Sequence, residues 1–466
     1  MNLIELLDAA ARRHPHQSAV IEDETIISYA GLVEKIGRLT SLLPSIKLSP
    51  GSRVGLHFPN SIDYVALTFA LWRIQAVVVP LPVECPAGEI SDIAATMQLA
   101  AIIGQKPFGE STALAPEIFF TRLHPAVPAD NHALNLAFIR FTSGTTNARK
   151  GVALTHETIR DRIVAANQAL QINSADTVMW CLPMAHHFLI TIVLYLSVGA
   201  TIVLARHVLA KPFLAAVNRW RGTVLYAAPF HFALLARDGS GEKMDSVRLA
   251  VSTTCALPQA VAEDFFQRFG LPLASALGII ELGLVSINLG DPRGRWNSVG
   301  QPLAAHRVKI ISPDENGCGE IAIAGPGFFD AYVAPWLPRE ALAPDGWFIT
   351  GDLGRLDAEG FLFLISRKTA VINLAGRKVF PEEIEAVLNR HPAVRESRVF
   401  GRSHPQLGEV VEAEIIFTSP DASLDSVREF CRQHLAAYKI PAQLHVVRDL
   451  PRTAGTGKIR RAATTA

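Results

Sequence analysis

Over most of its length the chain alternates short β-branched runs with apolar helical stretches, and that alternation narrows the fold to layered α/β sheets. Residues 61–75 read as a helix and AVVVPL (76–81) as a buried strand. LAFIRF (136–141) is a strand that runs into a Gly/Ser/Thr loop. TVLYAA (223–228) and VRLAVS (247–252) repeat the strand pattern, each followed by a helical stretch. Continuous apolar strands between helices belong to largely parallel sheets covered on both faces. No internal repeat or low-complexity segment interrupts the pattern.

After about residue 300 the texture changes. HRVKIIS (306–312), GEIAIAG (319–325) and GFLFLIS (360–366) are short strands between Gly, Pro and Asp turns, a smaller β-rich layer. Beyond Arg367 comes a compact tail. PEEIEAVLNRH (381–391) opens with Pro at the first helical position and two glutamates in the first turn, a good helix start. VREFCRQHL (427–435) reads as a second helix. The predicted fold is therefore α/β, with a large N-terminal domain of layered sheets plus a β-rich layer over 1–366 and a small α+β domain over 367–466. The boundary falls near Ser366–Thr369.

Composition excludes several partner classes. The 44 basic and 43 acidic residues leave a net charge of +1, without the basic stripe that nucleic-acid binding requires. The five cysteines (Cys85, Cys181, Cys255, Cys318, Cys431) are odd in number and nowhere at CxxC spacing. That argues for reduced thiols in a cytoplasmic protein, against a disulfide frame and against a zinc site. The N-terminus, MNLIELLDAAARRHP, carries Glu5 and Asp8 before any long apolar run and reads as an amphipathic helix, not a signal peptide. The longest uncharged stretch, Phe188 to Ala205, reaches the length of a membrane span, about 18 residues. Gly199 breaks it and β-branched residues crowd its second half, so it is read as a buried helix, a turn and a buried strand, with no span.

Five segments carry the chemistry. Phe141-Thr142-Ser143-Gly144-Thr145-Thr146-Asn147-Ala148-Arg149-Lys150-Gly151 delivers small hydroxyl and glycine residues from a strand, with a lysine behind them. Glycine lets the backbone approach closely, and hydroxyls and freed N–H groups donate to phosphate oxygens. It is not a Walker loop, because Arg149 and Gly151 flank the lysine where that loop needs Gly and Ser/Thr. Leu277-Gly278-Ile279-Ile280-Glu281 puts an acid after a tight turn at a strand end. Trp347-Phe348-Ile349-Thr350-Gly351-Asp352 presents a carboxylate on a Gly turn, with two oxygens able to accept both hydroxyls of a ribose. Ser366-Arg367 through Gly376-Arg377-Lys378-Val379-Phe380-Pro381 joins a basic strand end to the tail helix. Leu450-Pro451-Arg452-Thr453-Ala454-Gly455-Thr456-Gly457-Lys458 sets a lysine on a Gly loop near the C-terminus. Singly, each is an ordinary turn as readily as a site.

Together and in this order they resemble the adenylate-forming (AMP-binding) superfamily of acyl-CoA synthetases, peptide-synthetase adenylation domains and luciferases, and among these the acid:CoA ligases. The resemblance covers nearly the whole chain. It implies ATP-dependent activation of a carboxylic acid to an acyl-adenylate with release of pyrophosphate, then transfer to the thiol of CoA. By the same resemblance, Thr142, Ser143, Gly144, Thr145, Thr146 and Lys150 cradle the β- and γ-phosphates of ATP. Glu281 holds Mg²⁺, while Asp352 and Arg367 bind the ribose and Leu277 and Gly278 lie against the adenine. Lys458, on a mobile C-terminal domain hinged at Thr369, bridges the substrate carboxylate and the α-phosphate. His186 lines the acyl pocket and its gate; Phe188, Phe230, Thr254 and Ala276 are further pocket positions. Thr145, His186, Glu281 and Lys458 form the implied catalytic set.

The departures are specific. The family usually has an aromatic at 277 and a phosphate-bonding Thr at 280; here they are Leu277 and Ile280. Leucine still covers a purine face but loses roughly 1 kcal/mol of aromatic stacking. The usual Gly and Pro of the phosphate loop are Asn147 and Arg149, the usual Gly before Arg367 is Ser366, and the hinge residue is Thr369 in place of Asp or Lys. Amino-acid-activating members carry an Asp near Ala185, and none stands in Pro183–Phe188, which favours a simple fatty or aryl acid. A carrier-protein phosphopantetheine thiol is an alternative acceptor to CoA, and a nucleotide- or acyl-binding protein without turnover is a reading of another class.

Overall fold

The structure is a computed structural model that describes residues 1–123, 134–141, 151–205, 209–374, 377–404, 408–420, 422–452 and 459. Its described residues group into two compact units. One comprises the described residues within 1–141, 151–307 and 324–347; the other comprises those within 308–323 and 348–459.

The first unit is built on two nine-stranded sheets. In one, the strands Leu273–Ile279, Leu249–Ser252, Val224–Ala227, Thr177–Trp180, Thr201–Leu204 and Ser18–Glu22 lie side by side and parallel. Antiparallel neighbours close both edges. In the other, Leu136–Phe141, Val77–Pro80, Arg53–His57 and Ala101–Gly104 form the parallel centre. Strands such as Val77–Pro80 and Val224–Ala227 are buried at every residue, because helices cover both faces of a parallel sheet. The core between Val224–Ala227 and its helices includes Phe232 and Phe265, whose rings meet edge to face at 5.1 Å.

The helix read over 61–75 runs Ile62–Arg73. The Ser61 hydroxyl accepts from the Tyr64 amide at its start, and the Trp72 indole donates to the Ala137 carbonyl at 2.8 Å, tying the helix to the strand Leu136–Phe141. The uncharged stretch 188–205 is the helix Ile192–Ser197, a turn and the strand Thr201–Leu204, as read. Gly199 makes that turn with φ +86°, and a Cβ there would stand 2.7 Å from the His14 ring. No helix among the described residues is long and apolar enough to cross a membrane.

The second unit holds two smaller sheets. Arg307–Ile311, Gly319–Ala324, Phe348–Leu356 and Leu362–Arg367 form one, of four strands. The last strand begins later than 360 because Asp357 accepts from the Glu359 and Phe361 amides and holds a turn up to that point. The other sheet contains Arg377–Val379, Ile372–Leu374, Gly408–Phe417 and Val394–His404, with Gln443–Val446 parallel to Gly408–Phe417. The helices Pro381–Leu388 and Leu424–His434 bury Ile384, Leu388, Val427 and Cys431 with Val399, Val411 and Ile415. The second helix starts before 427 because the Ser423 hydroxyl accepts from the Asp425 amide.

Candidate active site

Parallel strands put their carboxyl ends along one edge, the edge of an open α/β sheet where ligands bind. Here the register sets Trp180 beside Tyr226, Tyr226 beside Val251 and Ser252 beside Ser275. The segments that follow therefore share that edge: 181–188, 228–230, 253–255 and 276–281. His186, Phe230, Thr254, Ala276 and Leu277 all lie along it although they span 91 positions of sequence (186 to 277). His186 belongs to the short helix Met184–His187. The Asn60 side chain brackets this helix, donating to the Leu182 carbonyl at 2.8 Å and accepting from the Met184 amide at 2.7 Å. Phe230 is 62% exposed at the start of the helix Pro229–Ala236. Thr254 has φ +79°, a conformation a β-branched residue adopts only under constraint. Phe188 lies deeper, fully buried with its ring 5.5 Å from Tyr64 and 6.1 Å from Trp72, as part of an aromatic core.

The acid of this edge is held from three sides. Leu273–Ile279 and Gly283–Ile287 form a hairpin whose register slips at Leu277/Gly278, and Glu281 stands in its turn. Glu281 is only 8% exposed, and its Oε1 accepts from the Tyr332 hydroxyl at 2.8 Å. Arg162, from the helix His156–Leu170, is buried beneath the turn. Its Nη1 donates to the Ile280 carbonyl at 2.9 Å, Nη2 to the Glu281 carbonyl at 2.6 Å and Nε to the Gly327 carbonyl at 2.6 Å. Burial lowers the pKa of this guanidinium, and Asp330 and Glu281 oppose that shift. Space for the side chain comes from glycine: a Cβ on Gly327 would lie 2.4 Å from Arg162 Cγ, and φ there is +73°. A buried cation with all its nitrogens on carbonyls fixes main chain, here the main chain that carries Glu281. Neither Arg162 nor Tyr332 stands out in sequence. An arginine on the apolar face Ile159–Ile163–Ala166 is a faint signal, and Tyr332 offers none.

In the second unit, antiparallel pairing sets Asp352 opposite Arg367. Asp352 Oδ1 and Arg367 Nε are 2.6 Å apart. Gly351 (φ +73°) turns the strand, and the Thr350 hydroxyl accepts from the Asp352 amide at 3.0 Å. The Asp352 side chain is 14% exposed and that of Arg367 57%. Thr369 falls in the 3₁₀ turn Lys368–Ala370, between the strand ending at Arg367 and the strand Ile372–Leu374. Thr142, Ser143, Gly144, Thr145, Thr146, Lys150 and Lys458 lie outside the described residues; Phe141 and Gly151, which flank the first loop, face each other across adjacent strands.

Two family profiles match the chain, one described as AMP-binding enzyme over residues 7–333, the other as AMP-binding enzyme C-terminal domain over residues 383–458. The chain belongs to the AMP-binding enzymes. This AMP-binding enzyme is 27% identical to the oxalate–CoA ligase of Arabidopsis thaliana over 98% of its own length and 96% of the relative's. It is also 27% identical to the crotonobetaine/carnitine–CoA ligase of Salmonella heidelberg strain SL476, over 98% of each chain. Among solved structures, ATP-bound MatB from Rhodopseudomonas palustris superposes with a TM-score of 0.85 at 23% identity, over 99% of this chain and 97% of that one. The o-succinylbenzoate CoA synthetase of Bacillus subtilis, solved with its acyl-adenylate intermediate, gives a TM-score of 0.82 at 24% identity over 98% and 96%. The AMP-binding enzyme has their α/β fold and is an AMP-forming ligase.

Proposed function

We propose that this enzyme uses ATP to convert a fatty or aryl carboxylic acid to its acyl-adenylate and then passes the acyl group to the thiol of CoA. The observation that carries the reading is Glu281, a buried acid whose main chain is fixed by Arg162 and whose carboxylate is held by Tyr332, at the sheet edge that also carries Ala276, Leu277, Thr254 and His186. Mg²⁺ typically takes one or two protein carboxylates and completes its shell with phosphate oxygens and water. Glu281 fits that need, and no group of three metal-ligating side chains occurs among the described residues. When bound, the ion would neutralise phosphate charge.

The chain's own residues supply the rest. Leu277 and Gly278 cover the base, and the loop Thr142–Lys150 donates to the β- and γ-phosphates. Asp352 exchanges part of its pairing with Arg367 for the ribose hydroxyls. A carboxylate oxygen of the acid attacks the α-phosphorus and pyrophosphate departs. Lys458 neutralises both anions as they meet in line. Rotation of 367–466 against 1–366 about Thr369 then admits the thiol. Its sulfur attacks the acyl carbonyl carbon, AMP leaves, and the thiol proton passes to solvent. The apolar character of Phe230, Ala276 and Leu277, and the absence of an acid in Pro183–Phe188, support an uncharged acyl chain or ring.

Acid-dependent exchange of labelled pyrophosphate into ATP, run over fatty, aryl and amino acids, tests the reading. Exchange only with amino acids, or with none, would overturn it. Lys458→Ala should cut this exchange by roughly 10²–10³, the loss typical of one preorganised transition-state group. Thioester formation from synthetic acyl-adenylate should remain. Equal loss of both steps would refute the two-conformation mechanism.

A further inference from the structure

Glu281 has a second basic neighbour whose role differs from that of Arg162. Arg140 lies on the strand Leu136–Phe141, two positions before Thr142, the first hydroxyl of the phosphate-loop segment. Antiparallel register sets Arg140 opposite Val152, and Val152 opposite Tyr332. Residues directly opposite share a sheet face, so Arg140 and Tyr332 stand on the same face in one row. Tyr332 closes the end of that row by donating to Glu281 Oε1. Glu281 is near enough to act on Arg140: burial pushes the guanidinium down to about 10, and Glu281 opposes the shift.

The two arginines are satisfied differently. Arg162 places all three of its nitrogens on carbonyl oxygens. Arg140 is half-buried, and its Nε, shielded from solvent, meets no hydrogen-bond partner among the described residues. A buried donor left open in a native fold calls for an explanation, and a guanidinium fork is matched to phosphate oxygens. Ile280, in the neighbouring turn, brings no side-chain donor that would do this instead.

We propose that Arg140 is an anion-binding residue of the active site whose guanidinium takes an oxygen of the ATP polyphosphate, acting beside Glu281. The inference rests on the ATP-dependent reading above.

Isothermal titration of the full chain with ATP, AMP and tripolyphosphate, with Mg²⁺ and again in EDTA, tests it. R140Q should weaken ATP and tripolyphosphate by about ten- to hundredfold, the effect of one charge-assisted hydrogen bond, and leave AMP unchanged. The loss should persist in EDTA. R140K should recover part of it, and this charge-keeping variant carries the test if thermal melts show R140Q to be misfolded. Equal losses for ATP and AMP, no loss for either, or a loss seen only with Mg²⁺ would overturn the proposal and reduce Arg140 to a counter-charge for Glu281. Wild-type protein that binds AMP and ATP while R140Q and R140K match it refutes this inference alone. Wild-type protein that binds neither nucleotide refutes the ATP reading with it.

Discussion

Glu281 stands in a hairpin turn and Asp352 within a strand just after Gly351, each with an arginine nearby, yet the arginines do opposite work. Arg162 is buried and directs its donors to the carbonyls of Ile280, Glu281 and Gly327, leaving the Glu281 carboxylate to Tyr332. Arg367 is mostly exposed and pairs with the Asp352 carboxylate itself. The first arrangement immobilises the main chain and costs several kcal/mol to undo, roughly 3–5, because it would leave buried groups unpaired. The second is a solvent-screened pair of about 0–1 kcal/mol, easily exchanged for another partner. A carboxylate that must stay put is held through its backbone, and one that must trade partners is held through its oxygens.

The largest effect that would break this contrast is on stability. Arg162→Met should lower the unfolding free energy by about 3 kcal/mol or more, measured by urea titration, because it orphans carbonyls in a dry site. A loss below about 1 kcal/mol would show the clamp to be no firmer than the Asp352 pair.

Asp352→Ala should behave in the reverse manner. Its stability should change by no more than about 1 kcal/mol, while KM for ATP rises about tenfold or more and KM for the acid moves little. Equal effects on both substrates would make Asp352 a turn residue only.

A smaller effect sharpens the comparison through pH. His156 begins the helix that carries Arg162, and its Nδ1 accepts from the Leu3 amide at 3.2 Å. Burial pushes its pKa down from 6.5 to about 4. Between those values the unfolded chain binds the extra proton, so this group's contribution is complete above pH 6.5 and is lost as pH falls towards 4. Between pH 7.5 and 5.5 it should remove about 1.4 kcal/mol. His156→Gln should lose about that much less than wild type over the same interval, with wild type and variant compared by urea melts. Identical pH slopes would mean that the imidazole is hydrated in the folded state.

Much of the architecture was legible from residue patterns alone. The strand LAFIRF, the helix after Ser61 and the helix–turn–strand within 188–205 follow from local signals: side-chain period, capping hydroxyls and glycine turns, whereas the pairing of Asp352 with Arg367 is set by strand register. The grouping of His186, Phe230, Thr254 and Leu277 followed from the family resemblance, and parallel register sets the segments that carry them along one edge. The placement of Phe188 did not. An aromatic beside a pocket and an aromatic beneath it have the same sequence signature, and only packing against Tyr64, Phe69 and Trp72 separates them.

What the sequence by itself determined is the alternation of elements, the parallel sheets and the residue types that form the acidic turn and the Thr-Gly-Asp turn, because each depends on neighbours a few positions away. What only the tertiary structure decided is who holds Glu281. Arg162 and Tyr332 reach it from a helix and a strand that lie 119 and 51 positions away. Arg162 finds its partners in main-chain carbonyls, which every residue carries and no residue type announces. A buried charge is permitted only where distant segments bring such partners to it, and that is a property of the packed chain.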